Sequence, residues 1–210
     1  MPSHKWNGTL ALLALVSLSS DAWSQTASVS VVHSDPNGVV LPGEAISVRV
    51  VVSWQGAGGS WAQFAGLKGS SRASTAIGTA GAVNSAFGPP SILAVFGTPT
   101  LGDIVGHDIA TISAYFTTTP HPASLQSAGV DYLTYDWTAP VVTTPTSIEI
   151  NFVPDAIAPN VRLYTSTNSP AFVEAQTSYI GTSILVLPTP GVGGVVLSYA
   201  GLSASRRRRR

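Results

Sequence analysis

The chain has 210 residues, with ten acidic and ten basic side chains and no cysteine. Disulfides, thiol catalysis and Cys-ligated zinc are therefore excluded. The formal charge balance is misleading, because five of the basic residues are the last five of the chain; between residues 25 and 187, four basic residues stand against nine acidic ones, a net charge of −5. A body of this charge argues against nucleic acid as a partner, because phosphate neutralisation needs clustered Lys and Arg.

The N-terminal stretch MPSHKWNGTLALLALVSLSSDAWSQ has the three-part pattern of a secretory signal peptide. Lys5 provides a positive start, and Thr9–Leu18 form an apolar core of ten residues. Small residues, Ala22 and Ser24, then occupy positions −3 and −1 of a cleavage before Gln25. The alternative, a buried amphipathic helix, is less favoured because the run has no polar face. We therefore predict a helical, cleaved signal peptide and an exported chain.

Period-two alternation is the main signal in the body. In the stretch EAISVRVVVSW every second residue from Ile46 to Trp54 is apolar, and SIEINFV, residues 147–153, repeats the pattern. Such segments predict half-buried strands of antiparallel sheets. Thr, Ser, Gly, Pro and Val dominate the composition, which also favours strands and turns over helices. Further predicted strands are Ser28–His33, Trp61–Lys68, Asp108–Phe116, Gly129–Trp137, Val161–Thr165 and Ser178–Leu187.

Eight or more short strands in about 160 residues predict an all-β fold, an antiparallel β-sandwich of Ig-like or jelly-roll-like type. Residues 69–90 are rich in Gly, Ala and Ser and low in charge, which predicts a long irregular loop. Pro140 and Pro145 flank a short connection that we interpret as an edge or crossing loop. No convincing helix is predicted inside the body.

The stretch SVSVVHSDPNGVVLPGEAISVRVVVSW, residues 28–54, resembles the opening of cohesin-like and related Ig-like bacterial surface modules. Those modules begin with a strand, a Pro-Gly-Glu turn and a strongly alternating second strand. Here Pro42, Gly43 and Glu44 form the turn, and Ile46 to Val52 carry the alternation. The resemblance implies the sandwich fold more than the dockerin-binding role of a cohesin.

Residues with recognisable chemistry are sparse. In the stretch GDIVGHD, Asp103, His107 and Asp108 could bind a metal, but a polar turn before a strand is the favoured interpretation. His33 and Asp35 close a strand and open a turn, and His121 lies between two prolines. No nucleophile elbow or phosphate-binding loop is present in the sequence. We therefore predict no enzyme, no cofactor and no metal.

Three aromatic residues stand close together in the predicted strand 129–137: Tyr132, Tyr135 and Trp137. By alternation, Tyr135 and Trp137 share one face and Tyr132 lies on the other. If these three side chains are exposed, they are candidate ligand-contacting residues that could stack on sugars. Burial in the core of the sandwich is the favoured alternative.

The C-terminus reads LPTPGVGGVVLSYAGLSASRRRRR. Gly191–Ala204 is a run of 14 apolar or small residues, which as a helix would reach about 21 Å, short of the hydrocarbon core of roughly 30 Å. Local thinning and snorkelling arginines relieve such a mismatch, and Arg clusters stay on the cytoplasmic side. We predict an anchor in the inner membrane with the body outside. The alternatives are a nucleic-acid patch, a nuclear address and a solvated charge run.

A Pro-x-Pro motif, a short apolar helix and a terminal Arg cluster together resemble the PEP-CTERM type of bacterial sorting signal. In that family an exosortase, a membrane protease-transpeptidase, handles the signal, and the substrates are surface or matrix proteins. This chain departs from the family at Thr189, where the usual motif has Glu. The matching positions are Pro188, Pro190, the apolar run, and Arg206, Arg207, Arg208, Arg209 and Arg210.

These predictions divide the chain into a signal peptide (1–24), a β-sandwich domain (25–187) and a C-terminal sorting or anchor segment (188–210). The function predicted first is a structural or adhesive protein of a bacterial envelope or matrix, with extracellular polysaccharide or a matrix protein as its partner. The alternative is a carbohydrate-binding or protein-docking module on the same scaffold. An enzyme comes third.

Overall fold

The computed structural model describes residues 24–60, 62–75, 78–87, 93–110, 128–166 and 171–189. The apolar core of the predicted signal peptide, the predicted C-terminal helix with its arginines, Trp61 and His121 lie outside the described residues. Within the described residues, no helix is long and apolar enough to cross a membrane.

Fourteen strands are present in the described ranges, together with one 3₁₀ turn at Ala57–Gly59. The strands are β1 (Thr26–His33), β2 (Val39–Val40), β3 (Ala45–Gln55), β4 (Gln63–Ala73), β5 (Thr79–Ala80), β6 (Leu93–Val95), β7 (Thr98–Thr100), β8 (Asp103–Ala110), β9 (Val130–Thr138), β10 (Thr146–Pro154), β11 (Arg162–Tyr164), β12 (Phe172–Glu174), β13 (Gln176–Ile180) and β14 (Thr182–Val186).

The strands form two sheets that pack face to face. The small sheet has the order β13-β1-β3-β9-β5, and the large sheet has the order β12-β11-β4-β10-β14-β2. In the large sheet, β8 pairs with β4 along the edge opposite to β10 and β11. The short strands β6 and β7 both pair with β8. Two pairings are parallel, β1 with β13 and β2 with β14, and the other strand pairs are antiparallel. The predicted all-β sandwich is confirmed for the described part.

Alternation decides which side chains form the core. The inward residues of β3, from Ile46 to Trp54, are at most 5% exposed, and Ile148, Ile150 and Phe152 of β10 face them from the large sheet. Burying each such side chain contributes about 1.5–3 kcal/mol. Polar residues such as Arg49 and Glu149 take the outward positions of the same strands.

The prediction for residues 69–90 is wrong in part. β4 continues through this segment to Ala73, and β5 pairs with β9. Asn84 then forms an isolated bridge with Thr134, so the segment follows the edge of the small sheet. Low charge and small side chains predicted a loop here, but backbone pairing with β9 and β10 satisfies the peptide groups instead.

The predicted strand Ser178–Leu187 is two strands. β13 belongs to the small sheet and β14 to the large sheet, and Gly181 alone separates them. A Cβ at Gly181 would lie 3.0 Å from the carbonyl oxygen of Ile150 and would displace the side-chain amide of Asn151, so glycine suits the point where the chain crosses between the sheets. The final segment of the body therefore contributes to both layers.

One irregularity changes the face of a predicted site residue. Along β3 and β9, Val50 pairs with Leu133 but Val51 pairs with Asp131, which leaves Tyr132 as an extra residue. A bulge of this kind shifts the in–out alternation by one residue. Tyr132 therefore faces the core with Tyr135, and the prediction that it lies on the opposite face is wrong.

Candidate functional site

The candidate ligand-contacting aromatics are all buried. Tyr132, Tyr135 and Trp137 are 0%, 1% and 0% exposed. The hydroxyl of Tyr135 lies 2.9 Å from that of Ser71 in the opposite sheet, and burial raises the pKa of Tyr135 to about 12. These three residues belong to the core, so this strand offers no surface on which a sugar could stack.

The three residues of the GDIVGHD stretch do not converge on a metal site. β8 begins at Asp103, so the predicted polar turn is wrong as well. The carboxylate of Asp103 accepts hydrogen bonds from the guanidinium of Arg72 at 3.0 Å and the amide of Ala73 at 2.9 Å. His107 faces the core and Asp108 takes an outward position. The described residues contain no group of three His, Asp or Glu side chains that could hold a metal ion.

His107 is instead a neutral link between the two sheets. Its ring Nε2 lies 3.0 Å from the carbonyl oxygen of Tyr132, to which it donates, and its Nδ1 accepts from the amide of Gly97 at 3.2 Å. Burial lowers the pKa of His107 to about 4. The Tyr132 hydroxyl completes the link with its one proton, which points to the carbonyl oxygen of Leu67 at 2.7 Å with that of His107 at 3.1 Å as a second, weaker acceptor.

A hollow on the outer face of the large sheet is a candidate surface site. Its floor is Gly66 of β4 and Ala110 of β8, which are neighbours in register. Because Gly66 has no side chain and Ala110 has a short one, a cavity with a volume of about 240 Å³ lies above these two residues. We call this site the Gly66 hollow. Its walls are formed by Lys68, Asp108, Asp155, Ile157, Ala158, Asn160 and Arg162.

The wall that carries Ile157 is a turn held at several points. Asp155 accepts a hydrogen bond from the amide of Ile157 at 3.0 Å and forms an ion pair with Lys68 at 3.2 Å. The hydrogen bond from the backbone amide of Ile157 is the main reason why the pKa of Asp155 lies below its usual range. At the other end of the turn, the hydroxyl of Tyr179 donates to the carbonyl oxygen of Pro159. The turn is thus fixed, yet Ile157 is 91% exposed.

Two charged groups at the Gly66 hollow have no charged partner among the described residues. Arg162 of β11 lies with its guanidinium 4.9 Å above the ring centre of Phe172, and its Nε is buried without a hydrogen-bond partner. Asp108 is the cross-strand neighbour of Lys68, but that lysine is engaged by Asp155. The hollow therefore presents one free cation and one free anion on either side of an uncharged floor.

No protein-family model matches the chain, and no curated protein matches it significantly. Solved structures that match along nearly their whole length include the two described next. One is a chain of a type I cohesin–dockerin complex from Clostridium thermocellum, with a TM-score of 0.51, 7% identity, and 77% of this chain and 99% of that chain covered. The other is the seventh ScaB type I cohesin from Pseudobacteroides cellulosolvens, with a TM-score of 0.50, 10% identity, and 80% and 96% covered.

The fold is cohesin-like. At these identities the likeness concerns the fold alone, and it covers the described β-sandwich. The fold that the resemblance of residues 28–54 implied is therefore confirmed. The cohesin-like sandwich places the residues that sequence analysis selected, Tyr132, Tyr135 and Trp137, inside the molecule.

The Gly66 hollow was not predicted from the sequence. Its residues come from β4, β8, β11 and the 155–160 turn, which are distant in sequence and meet only through strand pairing. One local signal was present in the sequence. Asp155 starts an Asx-type turn in the stretch PDAIAP and is followed two residues later by Ile157. The exposure of this aliphatic side chain cannot be read from the sequence.

Proposed function

We propose that this chain is an exported β-sandwich module that docks a protein partner at the bacterial surface through the Gly66 hollow and the adjacent Ile157 turn. Protein docking is one of the alternatives that the sequence left open. It is supported by the cohesin-like fold, since one chain of similar fold comes from a cohesin–dockerin complex. It is compatible with a structural or adhesive role in an envelope or matrix, because such proteins act by holding other molecules.

The observation that carries the proposal is the exposure of Ile157 on a fixed turn. Three contacts hold this turn, namely the Asp155 cap, the ion pair with Lys68 and the bond from Tyr179 to Pro159. Because the backbone of the turn is already fixed, little further ordering is needed when a partner covers Ile157, which favours binding.

The size of the Gly66 hollow supports a protein partner over a small metabolite. Pockets for small molecules usually have volumes of about 300–1,000 Å³. At about 240 Å³, open to solvent and bordered by charged residues, the hollow suits a single side chain of a larger partner. A partner that fills the hollow would also cover Ile157, because both line the same site.

Export and sorting form the second part of the proposal. The signal-peptide pattern before Gln25 supports secretion, and the Pro188-x-Pro190 motif with the terminal arginines supports arrest in the inner membrane. An exosortase-type enzyme is the proposed handler of that segment. In this arrangement the body stands outside the cytoplasm, where the Gly66 hollow is accessible to a surface or matrix protein.

The test compares the full chain with two variants of equal chemistry. Ile157→Asp places a carboxylate at the proposed anchor. Val141→Asp makes the same kind of change at a residue that is 84% exposed in the Ala139–Pro145 connection, away from the hollow. Affinity capture from the envelope fraction of the source organism, followed by binding measurements with the purified partner, compares the three proteins.

We expect the partner to bind the parent and Val141→Asp alike and to bind Ile157→Asp at least about 30-fold more weakly, the loss typical of a hot-spot residue. All three proteins should keep the same melting temperature, because both side chains are exposed. Equal binding by the two variants would refute docking through this surface.

A further inference from the structure

The two unpaired charges at the Gly66 hollow have fixed positions relative to one another. Gly66 pairs with Arg162 on one side and with Ala110 on the other, so β11 and β8 flank β4 at this level. Asp108 lies two residues along β8 from Ala110. With strands about 4.8 Å apart and a rise of about 3.4 Å per residue, the Cα atoms of Arg162 and Asp108 are roughly 12 Å apart.

Among the described residues, the cross-strand neighbour of opposite charge to each of these two groups is bonded to another side chain. Glu174 lies directly opposite Arg162 on β12, but its carboxylate accepts from the side-chain amide of Asn160 at 3.0 Å. Lys68 lies opposite Asp108 but pairs with Asp155 at 3.2 Å. The same groups that hold the Ile157 turn and the β11–β12 edge thus leave Arg162 and Asp108 available.

Arg162 is also oriented in advance. Its guanidinium lies over the ring of Phe172, a cation–π arrangement that restricts the long side chain. Stacking of this kind reduces the entropy that would be lost when the guanidinium binds a carboxylate. The floor between the two charges is formed by Gly66 and Ala110 and is apolar, and Lys68 lies beside Asp108 at its border.

We propose that the docking partner presents an extended segment with a carboxylate at one end, an aliphatic residue in the middle and an ammonium or guanidinium at the other end. The carboxylate pairs with Arg162, the aliphatic side chain enters the Gly66 hollow, and the cation pairs with Asp108. This inference rests on the proposed docking function and specifies the chemistry of the partner. In an extended chain, side chains at positions i, i+2 and i+4 share one face and span about 13 Å, which matches the separation of the two charges.

The charge pattern of the site gives specificity rather than high affinity. Both ion pairs would form at the exposed rim of the site. Exposed ion pairs contribute modestly to the binding free energy, and added salt weakens them. Like charges that face each other repel. A segment with two acidic ends would place one carboxylate against Asp108, and a segment with two basic ends would place one cation against Arg162. The preference is therefore for one charge of each sign.

The experiment uses the full chain and three blocked pentapeptide probes: Glu-Ser-Leu-Ser-Lys, Glu-Ser-Leu-Ser-Glu and Lys-Ser-Leu-Ser-Lys. Titrations are followed by the amide NMR signals of Gly66 and Ala110. We expect the mixed-charge peptide to bind at least about threefold more tightly than either like-charged peptide, with the difference shrinking in high salt.

Single charge reversals make the prediction specific. Asp108→Lys should transfer the preference to the peptide with two Glu residues, and Arg162→Glu should transfer it to the peptide with two Lys residues. Glu149→Lys, an exposed reversal elsewhere on the same sheet face, should keep the preference for mixed charge. Melting curves confirm that each variant is folded.

A mixed-charge preference that does not change in the Asp108 and Arg162 variants overturns the inference, as does equal binding of the three peptides by the parent. Either result leaves the docking proposal standing if Ile157→Asp still loses the captured partner. Conversely, a charge preference at the hollow without any effect of Ile157→Asp on partner capture would show that the hollow selects charge but is not the docking site. The two proposals therefore fail separately.

Discussion

The hydroxyl groups of Tyr135 and Ser71 lie 2.9 Å apart inside the sandwich and join the two sheets. Tyr135 extends from β9 of the small sheet, and Ser71 from β4 of the large sheet. Both residues are at most 1% exposed, so neither hydroxyl can exchange its partner for bulk water. A buried polar group without a partner costs more than the hydrogen bond itself contributes.

Removing the second hydroxyl should therefore cost much less than removing the first. We expect Tyr135→Phe to lower the free energy of unfolding by about 1–3 kcal/mol, because the Ser71 hydroxyl is left unpaired. In the double variant Tyr135→Phe/Ser71→Ala, the further loss should be much smaller than that of Ser71→Ala alone. Urea denaturation of the four proteins completes a double-mutant cycle, and additive losses would contradict the prediction.

A second prediction concerns the response of the fold to acid. Because His107 is buried as the neutral imidazole, its folded-state pKa of about 4 lies below the ordinary 6.5. The unfolded chain therefore binds more protons than the folded one between these values. Stability is fully present above pH 6.5 and falls as the pH decreases to 4, by about 3 kcal/mol in total.

Denaturation at a series of pH values between 7 and 4 measures this loss. His107→Gln should be less stable at pH 7 but should show a flatter profile over the same range, since the titrating ring is gone. Asp35 and Asp155, whose pKa values are lowered, affect stability in a lower pH range. Their contribution to the free energy of unfolding is lost only below about pH 4. An unchanged slope in His107→Gln would assign the acid response to other groups.

A third prediction tests close packing at a glycine. A Cβ at Gly69 would lie 2.4 Å from Cζ of Phe152 and 2.6 Å from the carbonyl oxygen of Val153. We expect Gly69→Ala to cost about 1–3 kcal/mol of unfolding free energy, as overpacking usually does. The control is Gly81→Ala, where the nearest atom to a Cβ, the carbonyl oxygen of Asp136, is at an ordinary 3.4 Å. Thermal melts that show equal effects at the two glycines would be the contrary result.

A fourth prediction concerns the terminal arginines, which lie outside the described residues. If they halt transfer across the membrane, replacing Arg206–Arg210 with Ser should release the chain from the membrane fraction. Each guanidinium costs at least about 2.5 kcal/mol to move through the hydrocarbon, and the 14-residue apolar run is marginal as a span. Thr189→Glu, outside that run, should leave arrest unchanged. Fractionation decides, and a five-Ser variant that remains firmly bound would favour a plain solvated tail.

Much of the fold could be predicted from the sequence because alternation and turn residues are local signals. β1, β3, β9 and β10 lie within two residues of their predicted bounds, and Asp35 caps the predicted turn by accepting from the amides of Asn37, at 2.9 Å, and Val39, at 3.1 Å. The errors arose where tertiary pairing overrode local composition. Small residues after Gly69 pair with β10 in spite of their low strand propensity.

The candidate site could not be predicted in the same way. The bulge at Tyr132 shifts the alternation by one residue, and nothing in the local sequence marks it. The Gly66 hollow depends on an absent side chain and on three elements that meet through pairing of distant segments. The charges that border it, Asp108 and Arg162, are ordinary surface residues until their neighbours are known to pair with each other.

The placement of β13 and β14 also constrains how the protein folds. β1 pairs with β13 across about 150 residues of chain, and the next strand, after Gly181, completes the opposite sheet. Pairings this distant make folding slow, on a scale of milliseconds to seconds for sandwiches of this kind. A chain that crosses a membrane from its N-terminus cannot close its sandwich until residues 176–186 have emerged. If the chain is exported as proposed, the late arrival of these strands delays closure of the sandwich until transfer is nearly complete, which suits passage through a narrow export channel.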